Sequence, residues 1–189
     1  CALPISPDMH PSQFYAMTRL DQNRATSLLA KKAGVSVTEV SSVAIWGNHS
    51  STQVADFLNA KVKGDPFLEV VKDRTWCEEE FVPAVQKRGA VVIQARGKSS
   101  AASAAHAALE GMKSLIYPTK KGEIFSCSLF SEKNPYGIHP GIFFSFPCRV
   151  NEGGKIEIVE GFTWDSFLKR KIGESEKELL EEREMAFYE

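Results

Sequence analysis

Val43-Ala44-Ile45-Trp46 runs without a break into Gly47-Asn48-His49-Ser50-Ser51-Thr52. Four apolar residues followed by a polar turn read as a buried strand that ends in a loop. A strand anchored in a core can hold a side chain at its end rigidly over a cleft. His49 stands at that end, and histidine titrates near neutral pH, as general acid–base work requires. From the residues alone, His49 reads equally as a hydrogen-bonded loop residue and as a general base.

Working upstream, residues 21–33 have helical spacing, with Ala25, Leu28 and Leu29 apolar and Lys31 and Lys32 placed to favour the C-terminal end. Gly34 then stops the helix. Asp21 and Arg24 sit three apart at its start and project from one face. An aspartate favoured by the helix dipole, with a local ion pair, explains that spacing without any chemistry. Residues 14–20 are apolar and aromatic enough for a short strand. Residues 1–13 hold Pro4, Pro7 and Pro11 and read as a linker-like lead-in.

Downstream, residues 75–88 predict a helix with Trp76, Phe81 and Val85 on one face. Residues 99–117 predict an alanine-rich helix that opens with serines suited to capping. Strands are expected over 123–130, 142–150 and 155–160, joined by turns at Asn134-Pro135-Tyr136-Gly137 and Gly153-Gly154. Residues 165–188 predict a long helix with Leu168, Ile172, Leu179 and Leu180 as its stripe and a solvated charged face. Helices and strands do not alternate regularly, so the expected class is α+β, a single domain over residues 1–189.

Bulk properties narrow the function. The 189 residues are 43% hydrophobic and 25% charged with a net charge of -1, which lacks the basic bias of a nucleic-acid binder. No apolar run approaches the roughly 20 residues that span a bilayer. Cys1, Cys77, Cys127 and Cys148 form no short-spaced pair, so free thiols are expected and no metal site. His10, His106 and His139 read as surface or packing residues. Arg96-Gly97-Lys98-Ser99-Ser100 suggests a phosphate loop, but that motif needs a glycine where Val92 stands. Ser99 and Ser100 read instead as capping residues, one of which can also face a ligand. No Gly-x-Ser-x-Gly elbow surrounds any serine, so a hydrolase is set aside.

Several segments together resemble the malate dehydrogenases of cytosolic type, within the lactate/malate dehydrogenase family. Phe14-Tyr15-Ala16-Met17-Thr18-Arg19-Leu20-Asp21-Gln22-Asn23-Arg24-Ala25 is similar to their substrate-side motif, and Ile45-Trp46-Gly47-Asn48-His49-Ser50-Ser51-Thr52-Gln53 to their active-site histidine motif. Gln86-Lys87-Arg88-Gly89, Ser99-Ser100-Ala101-Ala102-Ser103-Ala104-Ala105 and Asn134-Pro135-Tyr136-Gly137 match later segments in the same order.

The resemblance implies the C-terminal, substrate-binding domain, with a mixed, mostly antiparallel sheet and packed helices. It implies that His49 takes the substrate's hydroxyl proton, that Asp21 orients and stabilises the imidazole, and that Arg24 grips a substrate carboxylate. Ser100 or Ser99 is placed beside nicotinamide or substrate, without separating the two. It further implies NAD as cofactor, L-malate and oxaloacetate as substrates, a homodimer and a cytoplasmic location. The family's Rossmann domain, with its glycine-rich phosphate loop and its two mobile arginines, precedes the region present here, so residues 1–13 read as a lead-in from it. By that reading, these 189 residues are inactive alone.

Three alternatives stay open: a non-catalytic interaction or dimerisation fragment, a lactate enzyme, and an NADP-linked malate enzyme. The chloroplast NADP type shares the pattern over residues 46–59 but carries a C-terminal cysteine pair, whereas this sequence ends Ala186-Phe187-Tyr188-Glu189.

Overall fold

Gly34 ends helix α1 (Arg19–Ala33) in a left-handed conformation, φ 69°, that turns its N–H back onto the carbonyls of Ala30 and Lys31. Glycine takes that conformation without the Cβ penalty other residues meet. The helix buries Ala25, Leu29 and Ala30, with Lys31 and Lys32 in its last turn. The computed structural model describes residues 8–188, so the Cys1 thiol and the first seven residues of the lead-in lie outside the described residues.

The segment before α1 departs from expectation. Residues 14–20 form no strand: Ala16 alone bridges to Ser128, and Arg19 and Leu20 already belong to the helix. The Thr18 hydroxyl lies 2.7 Å from that of Ser145 in the interior. That contact ties the chain to the Ser145 segment at the point where it turns into α1.

After α1 come short antiparallel pairings. β1 (Val40–Ser41) pairs with β4 (Lys61–Val62), which pairs with β5 (Asp65–Pro66). The run expected as a strand contributes β2 (Ile45–Trp46), paired with β3 (Val54–Ala55), and all four residues from Val43 to Trp46 are buried. Helix α2 (Phe67–Val71) follows. A helical turn, Arg74–Trp76, then passes through a π turn, Cys77–Phe81, into α3 (Val82–Arg96). Gly97 closes α3 in a left-handed conformation, so the Gly-Lys-Ser run is a helix end rather than a phosphate cradle.

Ser100 is the N-cap of α4 (Ala101–Ile116), although its side chain makes no capping hydrogen bond. β6 (Phe125–Phe130), β7 (Phe143–Val150) and β8 (Ile156–Ile158) form the largest sheet, antiparallel throughout. The architecture is the expected α+β mixture. Helix α5 (Ser166–Tyr188) is capped by Asp165, whose carboxylate accepts from the Leu168 N–H at 2.9 Å. Leu168 and Ile172 are buried as the stripe requires.

The charged face of α5 is not wholly solvated, contrary to the sequence reading. Ser175 is fully buried, and Glu178 accepts hydrogen bonds from Asn48, Ser50 and Thr52. The helix lies across the His49 loop, so one strip of its polar face finds protein partners. Cys77, Cys127 and Cys148 are free and buried. Desolvation raises the Cys77 and Cys127 thiols to about 12, and nearby Asp73 adds to the rise at Cys77.

Candidate functional site

The loop that carries His49 stands on a packed floor. Trp46 is fully buried, with its ring centroid 4.8 Å from Tyr136 and 5.0 Å from Trp164, both edge-on. Its indole N–H donates to Asp56 Oδ2 at 3.0 Å. Asp56 is itself buried, and desolvation pushes its carboxyl above the usual range despite hydrogen bonds from Asn59, Trp46 and Leu58. An aromatic of this kind contributes about 1.5–3 kcal/mol by burial, plus up to roughly 1.5 kcal/mol for each favourable ring pair.

Gly47 then leaves the strand at φ 92°, exchanging backbone hydrogen bonds with Ser145. Beyond it, α5 grips the loop. The Asn48 N–H donates to Ser175 Oγ at 2.8 Å, and Glu178 Oε2 accepts from Asn48 Nδ2 at 3.0 Å and from Ser50 Oγ at 2.6 Å. At the far end of the loop, Gln86 Nε2 donates to the Gln53 carbonyl at 2.8 Å.

Asp21 arrives from α1, with its side chain only 2% exposed. Its Oδ1 accepts from Arg24 Nη1 at 2.9 Å, and its Oδ2 lies 3.0 Å from His49 Nε2. The second contact is close but not aligned as a straight hydrogen bond, which leaves Oδ2 an ion-pair partner without a linear donor. Arg24 reaches on with Nη2 to Ser100 Oγ at 3.3 Å. The structure therefore brings His49, Asp21, Arg24 and Ser100 together and leaves Ser99 exposed, which separates the two serines. His106 lines the same groove as Arg24 and Ser100, whereas His10 and His139 serve local contacts.

Electrostatics couples the group. Burial pushes the Asp21 carboxyl up, but His49 and Arg24 beside it outweigh that and hold it below the usual carboxylate range. Asp21 raises His49 above the ordinary histidine value, while partial burial and the Arg24 charge oppose the rise. His49 keeps 52% of its side chain exposed, so a molecule in solution can reach it. A groove of about 920 Å³ opens beside Arg24 and Ser100, with Lys31, Lys87 and Arg88 also lining it. The arrangement suits an anionic ligand: a planar guanidinium to bind a carboxylate, and a histidine held by a buried acid to move a proton.

The joint between Asp21 and His49 escaped sequence reasoning. Gln22, next to Asp21 and buried, donates from Nε2 to the Val43 carbonyl at 2.9 Å and accepts from the Ser126 N–H at 2.8 Å. Ser126 Oγ accepts from the Ile45 N–H, and Ser145 Oγ donates to the Ile45 carbonyl. α1, β2 and the β6–β7 hairpin are thus tied by three side chains. The serines carried a signal, because each interrupts a run of large apolar residues in a buried strand. Ser175 and Glu178 carried none, lying among the charges of α5.

Comparison with known proteins agrees with this geometry. Residues 18–189 match the family described as lactate/malate dehydrogenase, alpha/beta C-terminal domain. The malate dehydrogenase of Protochlamydia amoebophila is 56% identical over 184 residues, covering 97% of this chain and 56% of that protein. The chloroplastic NADP malate dehydrogenase of Flaveria bidentis is 50% identical over 181 residues, covering 96% of this chain and 40% of that one.

Among solved structures, Trichomonas vaginalis lactate dehydrogenase in complex with NADH and oxamate superposes with a TM-score of 0.93 at 37% identity, covering 98% of this chain and 57% of that one. Naegleria fowleri malate dehydrogenase superposes at 0.87 with 42% identity, covering 96% and 55%. The chain therefore spans about half the length of its relatives, and it belongs to the lactate/malate dehydrogenase family as the α/β C-terminal domain.

Proposed function

We propose that the chain is the substrate-binding and proton-transfer half of a malate dehydrogenase that interconverts L-malate and oxaloacetate with NAD. One observation carries the reading: a buried Asp21 carboxylate with His49 at one oxygen and Arg24 at the other.

Oxidation of malate removes a hydride from the carbinol carbon and a proton from its hydroxyl. His49, when neutral, accepts that proton at the ring nitrogen turned away from Asp21. Asp21 stabilises the imidazolium so formed and keeps the ring oriented. In the reverse direction His49 returns the proton to the carbonyl oxygen of oxaloacetate. Arg24 binds the carboxylate beside the reacting carbon, and Ser100 steadies the guanidinium.

A bound nicotinamide supplies the hydride acceptor. The half-exposed ring of His49 leaves the proton carrier open to a substrate held against that cofactor. The chain offers no glycine-rich turn for its phosphates, so the bulk of the nucleotide belongs to the upstream domain that the resemblance implies.

Malate is favoured over lactate by the 56% identity to a malate dehydrogenase, against 37% to the lactate dehydrogenase of T. vaginalis. NAD is favoured because that structural neighbour holds NADH and because the more similar of the two malate relatives named above is not the NADP-designated one. A homodimer and a cytoplasmic location belong to the same proposal.

The decisive experiment joins this chain to its nucleotide-binding half and follows oxaloacetate-dependent oxidation of NADH, with NADPH and pyruvate as competitors. His49→Asn should cost several orders of magnitude in turnover. Near-normal turnover in that variant sinks the assignment of His49, and a preference for pyruvate transfers the reading to lactate.

A further inference from the structure

We propose that Glu178 of α5, assisted by Ser175, is a positioning residue for the reaction: it clamps the loop on both sides of His49 and so sets where the imidazole sits against Asp21. The inference rests on the reading of His49 as the proton carrier and extends it to a helix that the sequence offered only as a solvated surface.

The geometry is concentrated on one atom. Glu178 Oε2 accepts from Asn48 Nδ2 and Ser50 Oγ, the residues on either side of His49, and from Thr52 Oγ1 two residues on. Ser175 Oγ takes the Asn48 backbone N–H at 2.8 Å and lies 3.0 Å from Thr52 Oγ1. Glu182 Oε1 accepts a second hydrogen bond from Asn48 Nδ2 at 3.0 Å. Among the described residues His49 makes no hydrogen bond or ion pair to α5; its close partner is Asp21 of α1. The residues flanking His49 are therefore held by α5, and the ring by Asp21 of α1.

A carboxylate suits this task better than a neutral acceptor. Hydrogen bonds to an ionised oxygen are shorter and stronger than neutral ones, and one carboxylate oxygen can accept several. Partial burial pushes the Glu178 carboxyl up, but the donors from Ser50, Thr52 and Asn48 outweigh it and hold the group below the usual range. The clamp stays ionised wherever the histidine works. The donors are the side chains of Asn48, Ser50 and Thr52, every second residue of the polar turn that carries His49.

The test has two readouts. In the 189-residue chain, nuclear magnetic resonance follows the titration of the His49 ring. Joined to the nucleotide-binding half, the same variants give kcat and KM for oxaloacetate. Glu178→Ala should move the His49 midpoint down toward the ordinary histidine value as the ring drifts from Asp21, and lower kcat on the order of tenfold to a hundredfold with KM little changed. Glu178→Gln, which keeps an acceptor oxygen, should restore most of both.

If Glu178→Ala does not fold, the Ser50→Ala, Thr52→Val pair removes two of the three bonds to Glu178 from the loop side and carries the test. An unchanged midpoint overturns the proposal, whatever kcat does. A shifted midpoint with unchanged kcat overturns the role in the reaction. Should His49→Asn also keep its turnover, the fault lies with the reading of His49 and not with the clamp.

Discussion

Gly47 lies so close to Ser175 that a β-carbon added to it would stand 2.2 Å from the serine hydroxyl oxygen. The backbone there, at φ 92°, is a second obstacle to any L side chain. Gly47→Ala should therefore destabilise the domain by more than about 2 kcal/mol, a strained backbone alone costing roughly 1–3 kcal/mol. Urea unfolding followed by circular dichroism measures it. Adding Ser175→Gly removes the collision but not the strain, so the double variant should recover only part of the loss. Full recovery would mean that the backbone carries no strain.

His49 should titrate above the ordinary histidine value, and Asp21→Asn should bring it down, because Asp21 is what raises it. A group whose folded pKa is raised adds stability that is present below its unfolded value and lost as pH rises through the folded one. Asp21→Asn should thus cost more stability at mildly acidic pH than at alkaline pH. Asp21 itself is held low, so its own contribution is present above the unfolded carboxylate value and lost as pH falls through the folded one. In the joined enzyme, oxaloacetate reduction needs the protonated ring and should fall as pH rises past the His49 midpoint, with malate oxidation rising in mirror image. Parallel profiles in the two directions would contradict proton carriage by this ring.

Arg24 opposes the rise at His49, so Arg24→Leu should raise the histidine midpoint further, a change read in the same titration. In the joined enzyme, Arg24→Lys keeps the charge but loses the planar fork. It should reduce kcat/KM for oxaloacetate by roughly ten- to a hundredfold, the equivalent of about 1.5–3 kcal/mol for one charge-assisted hydrogen bond. Ser100→Ala should cost less, because Ser100 touches only the second guanidinium nitrogen, at 3.3 Å. Steady-state kinetics of Arg24→Lys and Ser100→Ala checks the order.

Trp46→Phe keeps most of the apolar floor but removes the indole N–H from Asp56. The buried carboxylate then retains only its Asn59 and Leu58 donors. A loss of about 1–3 kcal/mol is expected, the cost of a buried polar group left short of a partner. Equilibrium unfolding gives the figure. A variant as stable as the parent would show that the indole contributes packing alone.

Much of this arrangement could be read from the residues because its signals are local. Gly34 behind two lysines ended α1 where expected, and the aromatic runs through Phe125 and Phe143 marked β6 and β7. Asp21 and Arg24 share a face because three residues make most of a helical turn. The misses depend on distant partners. Whether residues 14–20 pair as a strand is decided by Ser128 and Ser145, more than a hundred residues away. Ser50 and Glu178 are separated by 128 residues, and no periodicity within α5 separates an acid facing a loop from one facing water. Ser99 and Ser100 are neighbours of one type, and only the fold shows which of them Arg24 reaches.

Gln22 joins the helix bearing the acid to the segment that leads through β2 to the histidine loop, by the Val43 carbonyl, and to β6 by the Ser126 amide. Because that joint is backbone-anchored and buried, the distance between Asp21 and His49 is settled when the domain folds and not when a ligand arrives. The ordering entropy of the pair is met once, at folding, and an incoming carboxylate meets dipoles already turned toward it. Ligand affinity here should therefore track how well the ligand fits the site, with little of its binding energy diverted into assembling it.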